Sequence, residues 1–184
     1  MNLRSEQKKI RRAALWASVL CVFMFAAGYV VLPLLFYFPI DLLDRLVFAL
    51  RIDVFVLLWI LICVRMVSRV RFYSAADMGG SAAGPPSAQL AIKAAFLQNT
   101  LEQAVIAVAV HLVLATLLRG SALSLIVVAV ILFSIGRVAF YVGYPRGAGG
   151  RAFGMVVTVL PTLAGFVLAI VLLIAAMLGP PSVA

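Results

Sequence analysis

Five long apolar segments constrain the fold of this chain more than any other feature. A helix that spans the hydrocarbon core of a bilayer needs about 20 apolar residues. Segments of that kind cover roughly residues 14–38, 47–70, 90–118, 121–143 and 153–178. Of the 184 residues, 66% are hydrophobic and only 11% are charged, which leaves too little polar surface for a soluble domain of this length. We therefore expect an all-α integral membrane protein.

The basic residues predict an orientation in the membrane, because Lys and Arg accumulate in cytoplasmic loops. With the N-terminus placed in the cytoplasm, twelve of the 15 basic residues fall on or near the inner side. The three on the outer side are Arg45, Arg51 and Arg119. We expect a multi-pass protein with a cytoplasmic N-terminus, in the bacterial inner membrane. The basic residues are spread over separate segments beside spans, so nucleic acid is not an expected partner.

The N-terminal region reads as a basic, solvated arm of residues 1–12 followed by a retained spanning helix. Its apolar run is too long for the h-region of a signal peptide, and no clear cleavage site follows. Residues 1–46 would form this arm and helix, and residues 47–184 would form a four-helix transmembrane domain.

Three connecting segments are predicted from composition. Residues 38–53 link the first two spans on the outer side, where Asp41, Asp44 and Arg45 are expected to be solvated. Residues 74–89 are rich in small residues and contain a Pro-Pro pair, so they read as a flexible inner loop. Residues 144–151, "YPRGAGGR", read as a second inner loop.

The residues that commonly build metal or disulfide sites are sparse. Cys21 and Cys63 both fall inside predicted spans and suggest neither a disulfide nor a metal site. His111 is alone on an apolar helix, which favours a packing or interfacial role over a ligand role. No motif indicates a P-loop, a dinucleotide site or a zinc site.

Two polar residues in the third span are candidates for a functional site. Glu102 lies about 12 residues into that span, where an ionisable side chain is costly and is by default a functional hypothesis. It should face the bundle interior or a wet cavity and should have a cationic partner. Asn99 precedes it by three residues, on the same helical face. The alternative is that both residues only bond neighbouring helices together.

The fourth span ends in "GRVAFYVGY", which offers the cationic partner. Arg137, Phe140, Tyr141 and Tyr144 have helical spacing and form one stripe. This stripe could pair with Glu102 and shape an anion pocket. The alternative is an aromatic belt with a snorkelling arginine, which explains Tyr144 better than it explains Arg137.

Arg151 stands just before the predicted fifth span. The free N–H groups and dipole of a helix start favour an anion there, and an arginine at such a place can hold a carboxylate or a thiolate. The alternative is that Arg151 only marks the cytoplasmic side of the membrane.

The order and spacing of these residues resemble the family of membrane-associated proteins in eicosanoid and glutathione metabolism (MAPEG). Its pattern has Asn-x-x-Glu in one helix, then an Arg, a Tyr seven residues later and a further Arg seven residues after that. Asn99 and Glu102, followed by Arg137, Tyr144 and Arg151, match this pattern. The resemblance covers about residues 47–178, and the first predicted span is extra to the four-helix plan of the family.

The resemblance implies a homotrimer of four-helix protomers that bind glutathione, as co-substrate, between subunits near the cytoplasmic side. It implies a transferase or peroxidase that acts on lipophilic electrophiles dissolved among membrane lipids. Arg151 would hold the thiol as a thiolate. The substrate-binding residues carried over by the resemblance or by the neighbouring stripe are Asn99, Glu102, Arg137, Tyr144, Arg69 and Tyr141.

Three positions depart from the family pattern. Ala95 stands where many members have an arginine, Phe140 where they have a tyrosine, and Gln103 where some have a tyrosine. The missing arginine removes one carboxylate clamp. It keeps open an alternative, a non-catalytic protein of the same fold that binds a lipid or a partner protein in the intersubunit cleft. A transporter is disfavoured, because no broken helices or inverted repeats are evident.

Overall fold

The computed structural model describes residues 3–80 and 84–178. These residues are helical except for short connections, and they contain no strand. The helices are α1 (Leu3–Leu35), α2 (Leu42–Tyr73), α3 (Ala88–Leu117), α4 (Ser124–Gly143) and α5 (Gly147–Leu178), with 3-10 turns at Gly120–Leu123 and Tyr144–Arg146. Parts of the predicted 74–89 loop and of the predicted 47–184 domain, namely residues 81–83 and 179–184, lie outside the described residues.

Four helical segments in the described part of the chain are long and apolar enough to cross a membrane. They are Leu3–Leu35, Leu42–Tyr73, Ala88–Leu117 and Gly120–Leu178. The last is 59 residues long and contains both α4 and α5, which pack against each other, so it turns back at Tyr144–Arg146. The prediction of an all-α membrane bundle is confirmed, whereas five separate crossings and their orientation stay predictions.

The α4–α5 pair lies at the centre of the bundle. Helix α1 packs on α5 and α4, and α2 packs on α3 and α4. Helices α4 and α5 meet backbone to backbone through small residues, as membrane helices often do. A Cβ atom on Gly143 would lie 2.1 Å from the carbonyl oxygen of Gly150, and one on Gly154 would lie 2.1 Å from the nitrogen of Phe140. This close approach holds the end of α4 against the start of α5.

The prediction of a solvated arm at residues 1–12 is wrong for one important residue. Helix α1 already begins at Leu3, and Glu6 is buried. The Glu6 carboxylate accepts a hydrogen bond from the backbone N–H of Gly149 at 3.1 Å and one from the ammonium of Lys9 at 2.7 Å. The first turns of α1 therefore contact the start of α5, and this contact removes Glu6 from solvent.

Arg45 also corrects a prediction. It was expected to be solvated in the outer connection, but α2 begins at Leu42 and Arg45 is buried within its first turns. Its Nη1 donates to the backbone carbonyl oxygen of Leu118, at the end of α3. The guanidinium thereby satisfies one of the carbonyl groups that have no partner inside a helix end.

The connection between α2 and α3 is organised around one carboxylate. Asp77 accepts hydrogen bonds from the backbone N–H of Ser87 at 2.9 Å and from the hydroxyls of Ser87 and Ser74 at 2.7 and 2.8 Å. Ser87 is in turn the N-cap of α3 and accepts from the N–H of Leu90. Asp77 thus ties the end of α2 to the start of α3.

Candidate ligand site at Arg137 and Arg151

Arg137 is the largest fully buried side chain among the described residues, with 0% of its surface exposed. It extends from α4 and bonds to two other helices. Its Nη1 donates to Oδ1 of Asn99 on α3 at 2.8 Å, and its Nε donates to Oγ1 of Thr158 on α5 at 3.1 Å. The guanidinium also lies 5.0 Å from the ring centre of Phe140, within reach of a cation–π interaction.

The charge of Arg137 has no counter-ion within the described part of the chain. Its bonds go to an amide oxygen and a hydroxyl, and Nη2 has no hydrogen-bond partner among the described residues. A buried charge is costly unless it is paired and its donors are bonded. The remaining donor and the uncompensated charge both favour an anion near this position.

A cleft of about 340 Å³ lies beside this arginine. Asn99, Tyr144 and Arg151 supply the polar groups of its wall. The guanidinium of Arg151 stacks over the ring of Tyr144, 4.7 Å from the ring centre. The apolar part of the wall comes from α1, α3, α4 and α5, through Ile10, Ala95, Phe140, Ala148, Ala152 and Met155. The structure thus brings four of the predicted site residues together, namely Asn99, Arg137, Tyr144 and Arg151.

The predicted pairing of Glu102 with Arg137 is not present in the chain. Glu102 is exposed and accepts a hydrogen bond at 2.8 Å from the side-chain amide of Gln98, one turn earlier on α3. The reason is angular: three residues rotate a helix by about 300°, so side chains at that spacing still diverge by roughly 60°. Asn99 faces α4, whereas Glu102 points out of the helix bundle.

The two other predicted site residues also lie outside this cleft. Arg69 is exposed on α2 and lines a shallow groove with Arg65, Leu61, Ile62 and Met66. Tyr141 is half-buried and packs on Phe96 of α3, with ring centres 5.1 Å apart. Within one chain, some of the predicted site residues therefore lie at the cleft and the others lie outside it.

The position of Arg151 differs from the prediction. It was placed just before the fifth span, but α5 begins at Gly147, so Arg151 lies one turn inside the helix. The predicted 144–151 loop is instead a 3-10 turn followed by the first turn of α5. The N–H groups at a helix start have no partner within the helix. Here Glu6 of α1 accepts from one of them, that of Gly149.

The family model for MAPEG proteins matches residues 46–180, about three quarters of the chain. The chain belongs to the MAPEG family. The resemblance that rested on Asn99, Glu102, Arg137, Tyr144 and Arg151 is confirmed as a family assignment. Helix α1 lies before the matched region. No curated protein and no solved structure is significantly similar to the chain.

Two contributors to the site of this MAPEG protein were missed from sequence. Thr158 bonds Arg137 and also donates to the carbonyl oxygen of Gly154 at 2.9 Å. A hydroxyl in an apolar span is a sequence signal that could have identified Thr158 as a partner for a polar side chain. Ile10 lies in the cleft wall, but it belongs to the N-terminal segment that was predicted to be solvated, and nothing in its sequence surroundings indicates the contact.

Proposed function

We propose that this MAPEG protein is a glutathione-dependent transferase or peroxidase that acts on lipophilic electrophiles. The observation that carries the proposal is the buried, uncompensated charge of Arg137 beside a cleft whose wall contains Arg151. Family membership supports the same class of chemistry, since MAPEG proteins take part in eicosanoid and glutathione metabolism. Such a site would operate in a bacterial inner membrane, with the N-terminus in the cytoplasm.

The functional groups of glutathione suit the residues at the cleft together with Arg69, Glu102 and Tyr141, which lie outside it in one chain. Glutathione carries two carboxylates, one ammonium group and one thiol. Guanidinium groups bind carboxylates through forked hydrogen bonds, so Arg137 and Arg69 would hold the carboxylates. Glu102 would bind the ammonium group. Asn99, Tyr141 and Tyr144 would line the pocket and orient the peptide.

A homotrimer would bring these groups together. In one chain Glu102 and Arg69 are exposed on helices whose other exposed residues are mostly apolar. Ionisable groups in such segments are rare unless they face a bundle interior or a partner. A neighbouring copy that covers this surface would complete a site between subunits, with Arg137 and Arg151 from one protomer and Glu102 and Arg69 from the next.

Arg151 would activate the thiol. A nearby cation lowers the pKa of a thiol, and the thiolate is the nucleophile. In the transfer reaction the sulfur attacks an electrophilic carbon, a C–S bond forms, and the leaving group departs with its electron pair. The thiol proton goes to water. The lipophilic substrate is concentrated in the bilayer, so the site needs to supply little beyond proximity and a stabilised thiolate.

Ala95 favours a second candidate function. It lies in the wall of the cleft and supplies no charge where many MAPEG proteins have an arginine. A cleft with one carboxylate clamp fewer would suit a non-catalytic protein that binds a lipid or a partner protein. That function predicts a co-purifying lipid and no turnover.

A conjugation assay with an aryl halide discriminates between the two functions. The full-length protein in detergent should convert glutathione and the aryl halide to the thioether. Arg151→Ala should lower the rate about 10²- to 10³-fold, the usual loss when one charge-stabilising group is removed from an active site. Arg146→Ala is the matched control, because Arg146 is an exposed arginine only five residues away. It should leave the rate unchanged.

The absorbance of bound thiolate gives a second readout in the same samples. It should be present with wild-type protein and Arg146→Ala and absent with Arg151→Ala. Turnover that is equal in both variants would contradict the role of Arg151. Absence of turnover together with a co-purifying lipid would establish the non-catalytic function instead.

A further inference from the structure

A second polar centre lies in the bundle, between α2 and α3. Nδ1 of His111 and Oδ1 of Asp53 are 2.6 Å apart, and the two side chains are 3% and 1% exposed. Oδ2 of Asp53 is buried without a hydrogen-bond partner among the described residues. This pair is distinct from the Arg137 cleft and shares no residue with it. The proposed function does not use it.

The contact with Asp53 fixes which edge of the imidazole remains available. A carboxylate beside Nδ1 favours the tautomer that carries its proton on Nδ1, as in other Asp–His pairs. The neutral ring then has a lone pair on Nε2. The contact with Asp53 is the only hydrogen bond of the ring among the described residues. Nε2 is thus an acceptor that receives no hydrogen bond from the described residues.

An apolar cavity of about 200 Å³ lies next to this ring. Among the described residues, His111 is the only ionisable one in its wall, and the other wall residues come from α1, α3, α4 and α5. Gly165 and Pro161 form part of the α5 wall. A Cβ atom on Gly165 would lie 3.0 Å from Cγ1 of Val110, so this glycine allows α5 to approach α3 closely at the cavity wall.

We propose that this cavity binds a lipophilic ring that carries one hydroxyl group, such as a phenol. The hydroxyl donates to Nε2 of His111, and the ring occupies the apolar space. The volume agrees with this class of ligand, since an engineered apolar cavity of about 150 Å³ holds benzene. A hydrogen-bond acceptor at the wall selects a hydroxyl over an ether or a hydrocarbon, because only the hydroxyl supplies a donor.

The site is tested by equilibrium dialysis of 4-methylphenol against full-length protein in nanodiscs, with empty nanodiscs as the background. Saturable binding at one molecule per chain is expected. The same measurement with 1,4-dimethylbenzene, which replaces the hydroxyl by a methyl group of similar size, should give about tenfold weaker binding, as expected for one lost hydrogen bond.

Two variants test the location. Ala129→Leu adds a side chain at a wall position and leaves the Asp53–His111 pair intact, so it should abolish saturable binding. His111→Phe keeps a ring of similar size but removes Nε2, so it should bind both probes equally. Ala148→Leu makes the same enlargement in the wall of the other cleft and should leave phenol binding unchanged.

The results separate this site from the proposed glutathione site. Phenol binding that survives Ala129→Leu, or that prefers the hydrocarbon in the wild-type protein, would overturn the proposal. If His111→Phe fails to fold, the Ala129→Leu variant and the pair of probes still decide. Loss of glutathione turnover has no bearing on the outcome, since the two cavities share no wall residue.

Discussion

Arg137 and Asp53 are both buried charged side chains in an apolar bundle, but their surroundings differ. Asp53 faces His111 at 2.6 Å, so its charge has a partner that can carry the opposite charge or donate a hydrogen bond. Arg137 bonds only neutral groups, Asn99 and Thr158, and keeps one donor without a partner among the described residues. Each group has one buried polar atom without a partner among the described residues, but only the charge of Arg137 lacks a partner side chain that can compensate it.

This contrast separates a structural charge from a binding charge in a membrane bundle. Removing one member of a buried pair leaves the other uncompensated and destabilises the fold. Removing a charge that has no counter-ion relieves a desolvation cost and should affect binding more than folding. The two centres should therefore respond to substitution in opposite directions.

The largest expected effect on stability is at the Asp53–His111 pair. His111→Leu leaves the Asp53 carboxylate buried and unpaired, so the free energy of unfolding should fall by about 3–5 kcal/mol. The double variant Asp53→Leu/His111→Leu removes both polar groups and should recover most of that loss. Unfolding in mixed detergent micelles measures both. If His111→Leu is as stable as the wild type, this pair does not hold α2 against α3.

The next effect is at Arg137. Arg137→Met removes the charge and keeps much of the volume, so the free energy of unfolding should rise, by up to about 4 kcal/mol. Glutathione binding should weaken at least about 30-fold, because truncating one partner of a buried charge pair costs 2 kcal/mol or more. Unfolding and binding are measured on the same preparation. A large loss of stability in Arg137→Met would show that Arg137 is structural, and it would contradict the contrast with the Asp53–His111 pair.

Much of the fold was predictable because apolar length is a strong signal in a chain of this composition. The helices appear where the apolar runs are, Asn99, Tyr144 and Arg151 do meet in one cleft, and Arg137 bonds Asn99 beside it. The ends of the helices were less predictable. The glycines before Arg151 suggested a loop, but membrane helices tolerate glycine, and here they allow α5 to approach α4 closely.

The contacts between distant segments could not be read from local pattern. The burial of Glu6 depends on α1 lying against the start of α5, 143 residues later in the chain. The Asp53–His111 contact depends on the register of α2 against α3. Its one available signal was that Asp53 and His111 both fall toward the outer ends of their predicted spans. The side on which Glu102 lies depends on a rotation of roughly 60°, which spacing alone does not resolve.

The smallest expected effect is at Asp77, in the connection between α2 and α3. Hydrogen bonds from the backbone and hydroxyl of Ser87, and from Ser74, lower the pKa of Asp77 below its ordinary value of 3.8. A lowered pKa means that ionised Asp77 stabilises the α2–α3 connection above pH 3.8, and that this stabilisation is lost as the pH falls through the lowered value. The protection of the Ser87 amide against hydrogen exchange should fall accordingly.

A matched variant isolates the Asp77 effect. Asp77→Asn should show reduced protection of Ser87 at neutral pH and little further change on acidification. Asp41→Asn changes an exposed carboxylate at the start of α2 that makes no capping bond, and it should behave as the wild type. Protection of Ser87 that is equal in Asp77→Asn and the wild type at neutral pH would show that this carboxylate does not order the connection.

Glutathione binding at the cleft is tested most directly by isothermal titration calorimetry, in which glutathione is added to the full-length wild-type protein in nanodiscs. The uncompensated charge of Arg137 and the nearby Arg151 predict saturable binding at millimolar concentrations or below, and the same titration of Arg137→Met should show none. Absence of saturable binding to the wild-type protein, or equal binding to both proteins, would contradict the assignment of this cleft to glutathione.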